Sequence, residues 1–288
     1  MILHGGYMIN IINACTDLGV MLDGANLGPL ILTNELDINK DTINKENISK
    51  SRDKLDLKKN LPEVNKFTSQ VFNKTLEILN NNDFPLLIGG DHSSAIGSAL
   101  ASNDYYSNIG IIWIDAHGDY NTFETTHTGN LHGLPLAAIT GYKCDSLTNF
   151  ITDNYINPKN CVIVGARSID PWEIGNLEDA GVTIFTTDDI HEKGVQTIMN
   201  EAFKIALNNT NGTHVSYDID VIDPILAPGV SVPEINGINE NEAYEIMDYL
   251  VSRKQDIKSM DLVEYNPTRD INNKTKTIAL NLINKFIK

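Results

Sequence analysis

Apolar residues along the chain gather into short, nearly continuous runs separated by longer amphipathic stretches. Runs of strand length lie at Met8 to Asn13, Phe84 to Gly89, Ile109 to Asp115, Cys161 to Gly165, Val182 to Phe185, His214 to Asp220 and Ser259 to Glu264. Several are hydrophobic throughout and rich in Ile and Val, as strands buried on both faces require. Between them, Glu63 to Asn80 carries Val64, Phe67, Val71, Leu76 and Leu79 near a 3.6-residue period, which predicts an amphipathic helix. Further helices are expected over Ser94 to Ala101, Gly194 to Asn208, Glu240 to Arg253 and Lys274 to Phe286. Strand-length runs alternating with helical stretches predict a parallel α/β sheet covered on both faces.

Thr33 to Asn60 breaks this rhythm. It is rich in Asn, Lys and Asp and has no sustained apolar period, so it reads as a surface excursion rather than a domain linker. With no second compositional break, the expectation is one domain over residues 1–288.

Composition narrows the function classes. The 288 residues are 41% hydrophobic, enough for a large core without staples. Cys15, Cys144 and Cys161 are odd in number and widely spaced, which argues against a disulfide framework or a thiolate metal site and for a reducing cytoplasm. The start, Met1 to Tyr7, does not read as a signal peptide, and no apolar run approaches the roughly 20 residues of a membrane span. Against 22 Lys and Arg stand 38 Asp and Glu, a formal charge of −16. That charge disfavours nucleic acid and anionic membrane surfaces and favours a small cationic substrate.

Candidate chemistry sits where apolar runs end. Gly89-Gly90-Asp91-His92, Asp115-Ala116-His117-Gly118-Asp119, Asp218-Ile219-Asp220 and Glu264 each follow such a run. Ligands of open α/β sheets bind beyond the carboxyl ends of the strands, so four segments at that edge predict one site. Asp115, His117 and Asp119 are spaced by two, as are Asp218 and Asp220, a spacing that puts side chains on one side of an extended backbone. Carboxylate oxygens with a minority of imidazoles suit Mn²⁺ better than structural zinc. Gly89-Gly90 lacks the Lys and Ser or Thr of a phosphate-binding loop and reads as a tight turn presenting His92. His4, His127, His191 and His214 have no metal-ligand context, and Trp113, inside a strand run, reads as core.

Taken in order, these segments resemble the ureohydrolase superfamily of arginases, agmatinases and formiminoglutamases. The resemblance runs from Asp17-Leu18-Gly19 and Asp23-Gly24-Ala25-Asn26-Leu27-Gly28-Pro29 through Gly89-Gly90-Asp91-His92-Ser93 and Trp113-Ile114-Asp115-Ala116-His117-Gly118-Asp119. It continues in Ser216-Tyr217-Asp218-Ile219-Asp220-Val221-Ile222-Asp223-Pro224 and Met260-Asp261-Leu262-Val263-Glu264-Tyr265-Asn266-Pro267. Within the superfamily, Thr128-Gly129-Asn130-Leu131-His132-Gly133-Leu134-Pro135 is most similar to arginases. The resemblance implies a three-layer, mostly parallel open sheet of about eight strands, with the site at its carboxyl edge. It implies two Mn²⁺ per subunit, divided among His92, Asp115, Asp119 and Asp218 or Asp220, with His117 completing the second position. By family analogy it also implies a homo-oligomer, a trimer or hexamer.

The same resemblance implies hydrolysis of a guanidinium carbon by hydroxide shared between the two ions, with Asp119 steadying it. Glu264 would hold the guanidinium, and His132 would return a proton to the leaving amine. Asn121, Thr128 and Asn130 match positions facing a substrate α-carboxylate; Asp170 and Glu173 match those facing its α-amino group. Plainer roles are open to each of these, as turn formers for the first three and as a helix cap with its capping-box partner for the last two. Ala227-Pro228-Gly229-Val230-Ser231-Val232-Pro233-Glu234 departs from the arginase pattern, with Val232 where a Thr is usual and a Pro-Gly-Val-Ser run reminiscent of formiminoglutamases. The leading expectation is an arginase splitting L-arginine into L-ornithine and urea. Formiminoglutamate, agmatine or another guanidino compound is the alternative substrate, and a catalytically silent metal-binding sensor or subunit is the alternative of another class.

Overall fold

A computed structural model describes residues 3–4, 7–46, 50–51, 53, 56 and 58–288. Positions 1–2 and 5–6 of the chain start, and 47–49, 52, 54–55 and 57 of the polar excursion, lie outside the described residues. Strands are β1 (Leu3–His4), β2 (Tyr7–Cys15), β3 (Lys40–Asn44), β4 (Phe84–Gly89), β5 (Gly110–Ile114), β6 (Cys161–Ala166), β7 (Thr183–Thr186), β8 (Thr213–Asp218) and β9 (Ile257–Val263). Helices are α1 (Gly28–Thr33), α2 (Leu61–Asn80), α3 (Ala95–Tyr106), α4 (Pro135–Ile139), α5 (Pro171–Ala180), α6 (Thr187–Lys193), α7 (Val195–Ala206), α8 (Glu240–Ser252) and α9 (Lys274–Ile287). Strands β2 to β9 form one parallel sheet in the order β3-β2-β4-β9-β8-β5-β6-β7, and β1 folds back antiparallel on β2.

All seven expected strand runs and all five expected helices are present, and the sheet has the three-layer, open form. Period-two alternation divides the core between the faces. On β5, Ile112 and Ile114 pack with Met199 and Phe203 of α7, while Ile111 and Trp113 pack with Ala99 and Leu100 of α3. Leu87 of β4 meets Phe67 and Val71 of α2.

The excursion is surface, as read, but it also holds an element that its polar pattern does not predict, because its residues Lys40–Asn44 form the edge strand β3 on β2. Only Ile43 is apolar there, and the side chains are mostly exposed. Its ladder bonds come from the backbone, which hydrophobic patterning does not register, and polar side chains are what an edge strand needs.

Chain order explains where the site lies. The chain passes from β4 to β5 across a gap that β9 and β8 fill later, so β4, β9, β8 and β5 end side by side. This is a crevice of the kind that open α/β sheets use for ligands.

Beneath α3, the face formed by β8 and β9 is polar. His214 Nδ1 lies 2.7 Å from Ser259 Oγ and Nε2 3.0 Å from Asp261 Oδ2; Ser98 Oγ donates to the same oxygen at 2.9 Å, and Ser102 Oγ lies 2.6 Å from Ser259 Oγ. All five residues are buried. Removing one partner of such a pair leaves the other's polar atoms stranded, whereas replacing both is far milder. His214→Leu should therefore cost about 3–5 kcal/mol in denaturant unfolding. Most of that should return when Asp261 is also made apolar; simple additivity of the two losses would contradict the coupling.

Candidate metal centre

β4, β5 and β8, whose ends carry the candidate ligands, each finish in the same local device. Asp91, after β4, accepts the N–H of Ser93 at 3.0 Å. Asp115, after β5, accepts that of His117 at 2.7 Å, and Asp218, closing β8, accepts that of Asp220 at 2.8 Å. These are Asx turns, in which a carboxylate takes the backbone donor two residues on and bends the chain. The spacing by two thus has a different origin from the extended backbone inferred above. Asp220 lies in a 3-10 turn, Ile219–Val221, and Asp119 has a left-handed φ of 49°.

The turn after β4 also needs Gly90. A Cβ there would sit 1.8 Å from the Thr16 carbonyl oxygen, so a larger residue would push His92 out of place. Asp91 ties this turn to the neighbouring loop by accepting from Gly19 N at 3.0 Å, and the Gly19 carbonyl in turn accepts from His132 N at 3.1 Å.

Six predicted ligands converge. His92 Nδ1 lies 3.2 Å from Asp115 Oδ2, 3.1 Å from Asp119 Oδ2 and 3.1 Å from Asp218 Oδ2. His117 Nδ1 lies 3.3 Å from Asp115 Oδ1 and 3.0 Å from Asp220 Oδ2. Two donor sets result, His92 with Asp115 and Asp119, and Asp115 with His117 and Asp220; within each, the donor atoms lie within 4.8 Å of one another. Asp115 belongs to both, one oxygen facing each set.

The donor chemistry fits divalent ions. His92 Nδ1 is buried and makes no hydrogen bond, although three carboxylate oxygens surround it. One nitrogen can satisfy at most one of them by donating a proton. Burial followed by the nearby Asp115 carboxylate pushes Asp119 up to about 6, and burial with Asp220 and Asp115 holds Asp218 well above the carboxylate range. Burial opposes the cationic form of His92, yet the carboxylates of Asp115, Asp119 and Asp218 raise it well above the ordinary imidazole value. Without a cation the crowded carboxylates thus resist full ionisation, and hard divalent cations are suited to stabilise the fully ionised set.

Supporting contacts fix the donors' direction. Trp113 Nε1 donates to Asp115 Oδ2 at 2.9 Å, and its ring stacks on His92 with centroids 4.0 Å apart. Trp113 is core, as its position in a strand run predicts, and it also orients two ligands. His92 Nε2 lies 2.8 Å from Ser216 Oγ.

A cavity of about 300 Å³ opens over this floor. His117, Asp119, Asp218 and Asp220 line it, with Asn121, Thr128, Asn130 and His132 on one wall and Asp170 and Glu173 on another. Asn121, Thr128, Asn130, His132, Asp170 and Glu173 therefore face one space, while Glu264, expected to hold the guanidinium, is not among the residues lining it. Asn121 Nδ2 donates to Asp170 Oδ2 at 3.1 Å, joining the two walls. His132 Nδ1 lies 2.8 Å from Glu264 Oε1, which also accepts from His92 N at 2.9 Å, while Glu264 Oε2 is buried without a hydrogen-bond partner. Glu264, like Asp119, has a left-handed φ, 69°. Among the described residues, His127, His191 and His214 stay outside the metal sets.

The sequence assigns no site role to several lining or supporting residues. Lys59, from the end of the polar excursion, is buried and donates through Nζ to the Thr128 carbonyl at 2.5 Å, so the excursion anchors a substrate wall. Thr126, Ser168, Val232 and Glu234 line the cavity. Arg167 directs five donor contacts of 2.8–3.3 Å to the carbonyls of Gly165, Asp220, Val221, Glu234 and Ile235. For Lys59 and Arg167 only partner distances across the fold show the role, whereas Val232 and Glu234 lie in the stretch already marked by its departure from the arginase pattern.

Carboxylate-rich paired donor sets at the carboxyl edge of an open α/β sheet form the class of site that two-metal hydrolysis uses. Comparison with known proteins gives the family. The sequence model of the Arginase family matches residues 7–288. The arginase of Bacillus subtilis strain 168 is 36% identical over 296 residues, covering 97% of this chain and 97% of its own. The solved arginase of Entamoeba histolytica in complex with L-ornithine superposes with a TM-score of 0.89 at 29% identity, covering 97% of each chain. The formimidoylglutamase of Bacillus subtilis subsp. subtilis strain 168 shares the fold, with a TM-score of 0.79 at 19% identity over 97% of this chain and 85% of its own. The chain belongs to the arginase family, a family of metal-dependent hydrolases acting on amidines.

Glu173 also gives the site a pH signature. Its oxygens accept from Tyr120 N at 2.7 Å and Asp170 N at 3.1 Å, the second bond being the capping-box contact of α5. Burial outweighs these bonds and, with Asp119 adding to it, pushes the carboxyl from 4.5 up to about 8. The folded chain thus holds this proton more tightly than the unfolded chain. Stability from that proton is complete below 4.5 and is lost as pH rises through about 8. In metal-free protein, Glu173→Gln should reduce the fall of stability over this window by up to about 1.4 kcal/mol per pH unit, the slope for one proton. Unfolding curves across the range test this, and an unchanged slope would assign it elsewhere.

Proposed function

We propose that this protein is an arginase that takes up two Mn²⁺ and converts L-arginine and water to L-ornithine and urea. One observation carries the reading: Asp119 of one donor set and His117 and Asp220 of the other, the sets that share Asp115, line a cavity together with Asn121, Thr128, Asn130, His132, Asp170 and Glu173. His92, Asp115, Asp119 and Asp218 would hold one ion, and Asp115, His117 and Asp220 the other. When bound, the ions polarise water so that a nucleophile is available near neutral pH.

The chain's own groups do the rest. Asn121, Thr128 and Asn130 offer neutral donors to the α-carboxylate, and Asp170 and Glu173 offer acceptors to the α-ammonium. Together they position the guanidinium over the floor, where attack at its carbon is otherwise slow because the cation is resonance-stabilised. Glu264 keeps Oε2 available for the guanidinium while Oε1 steadies His132. With Nδ1 engaged, His132 has its other ring nitrogen for passing a proton to the departing amine. Burial opposes the imidazolium, but the Glu264 carboxylate outweighs it and raises His132 above the ordinary value, favouring the acid form. The L-ornithine bound to the Entamoeba relative is the product this reading assigns. A trimeric or hexameric assembly and a cytoplasmic location belong to the same reading by family analogy.

One observation favours a second reading. Val232, where arginases usually carry Thr, lines the cavity, which leaves formiminoglutamate or agmatine as the alternative substrate. Manganese-loaded protein should release urea from L-arginine in excess over urea from agmatine or formamide from formiminoglutamate; no urea from L-arginine would sink the arginase assignment. His132→Ala should lower kcat by about 10²-fold or more with metal content intact. Asp119→Asn should lose both activity and metal. An unchanged rate in the first, or full activity with one ion in the second, would contradict the roles given.

A further inference from the structure

The two histidines of the floor are supported unequally. His92 faces its carboxylates through Nδ1, and its other nitrogen meets a fixed partner, Ser216 Oγ at 2.8 Å. His117 likewise faces Asp115 and Asp220 through Nδ1, but its Nε2 is buried without any hydrogen-bond partner. An imidazole that coordinates an ion through one nitrogen keeps its proton on the other, and that N–H needs an acceptor to hold the ring in register.

Among the described residues, one carboxylate lies within 4 Å of that nitrogen: Glu234 Oε1, at 3.9 Å. We propose that Glu234 is the acceptor that orients His117 and so acts as a positioning residue for the second ion, either directly after a small side-chain rotation or through one bridging water. The surroundings suit this role. The Glu234 backbone is fixed, because Arg167 Nη2 donates to its carbonyl at 2.9 Å and to the carbonyl of Asp220, a ligand of the same ion, at 2.8 Å. Its side chain is 34% exposed and has room to turn. Glu234 closes the stretch that departs from the arginase pattern at Val232, two residues before it.

The inference rests on the two-ion reading above, and counting bound Mn²⁺ on the full-length protein separates the two. Wild-type protein, stripped and titrated with Mn²⁺ alone, should bind two ions and give the exchange-coupled spectrum of a close pair by electron paramagnetic resonance. Glu234→Val should leave the first ion near wild-type affinity and weaken the second by about 10–100-fold. Glu234→Gln, which keeps an acceptor oxygen, should fall between the two. Equal melting temperatures of the metal-free proteins would show that the loss is not one of folding. Two ions bound by Glu234→Val with wild-type affinity would overturn the inference, as would equal weakening of both ions, because His92 has its own support. Fewer than two ions in wild-type protein would instead overturn the two-ion reading beneath it.

Discussion

Mutual repulsion among buried carboxylates is the constraint around which the rest of the structure is arranged. Asp115, Asp119, Asp218 and Asp220 are all buried and crowd two imidazoles at the carboxyl edge of the sheet. Two like unit charges about 4 Å apart repel by about 4 kcal/mol even at an effective dielectric of about 20. Backbone donors, Trp113 and Ser216 aim these groups without cancelling their charge. The scaffold therefore fixes direction, and a donor set of this kind is suited to divalent cations, which relieve such repulsion.

Holding such a cluster together takes strain as well as hydrogen bonds. Asp119 and Glu264 are two non-glycine residues with positive φ at the same site, a backbone state of order 1–3 kcal/mol above the ordinary one. Their neighbours over-determine them. The Asp119 carbonyl accepts from Leu136 N at 3.0 Å and Ala137 N at 3.3 Å, at the start of α4, and Glu264 N donates to the Gly90 carbonyl at 2.7 Å. One glycine thus meets three demands: it lets the chain pass Thr16, presents His92, and fixes the turn that carries Glu264.

How much of this the sequence discloses follows from the range of the forces involved. The parallel strands and the long helices are legible because burial on both faces writes itself into runs such as Phe84 to Gly89 and into the period of α2. β3 is illegible because an exposed edge strand is held by backbone bonds that any side chain permits. The candidate ligands are legible in type and place, since each follows an apolar run, and the structure brings them together. Their geometry is not, because spacing by two serves an Asx turn as well as an extended strand, and only the bonds from Ser93, His117 and Asp220 N–H groups decide between them. Lys59 and Glu234 are illegible for another reason: each acts on a group far away in the chain, Thr128 and His117, and no local pattern marks such a pairing.

Floor and walls consequently obey different rules. The floor is built from short-range turns on four adjacent central strands, so a change there alters strand termination and charge balance together. The walls come from the Asn121 to Asn130 loop, anchored by Lys59, from Asp170 and Glu173 at the start of α5, and from the Val232 to Glu234 segment, clamped by Arg167. The wall side chains named here are not among the candidate ligands. The departure from the arginase pattern at Val230 to Pro233 accordingly falls on a wall segment and includes none of the residues of the two donor sets. Glu234 links the two, since it stands on a wall segment yet faces a ligand of the floor.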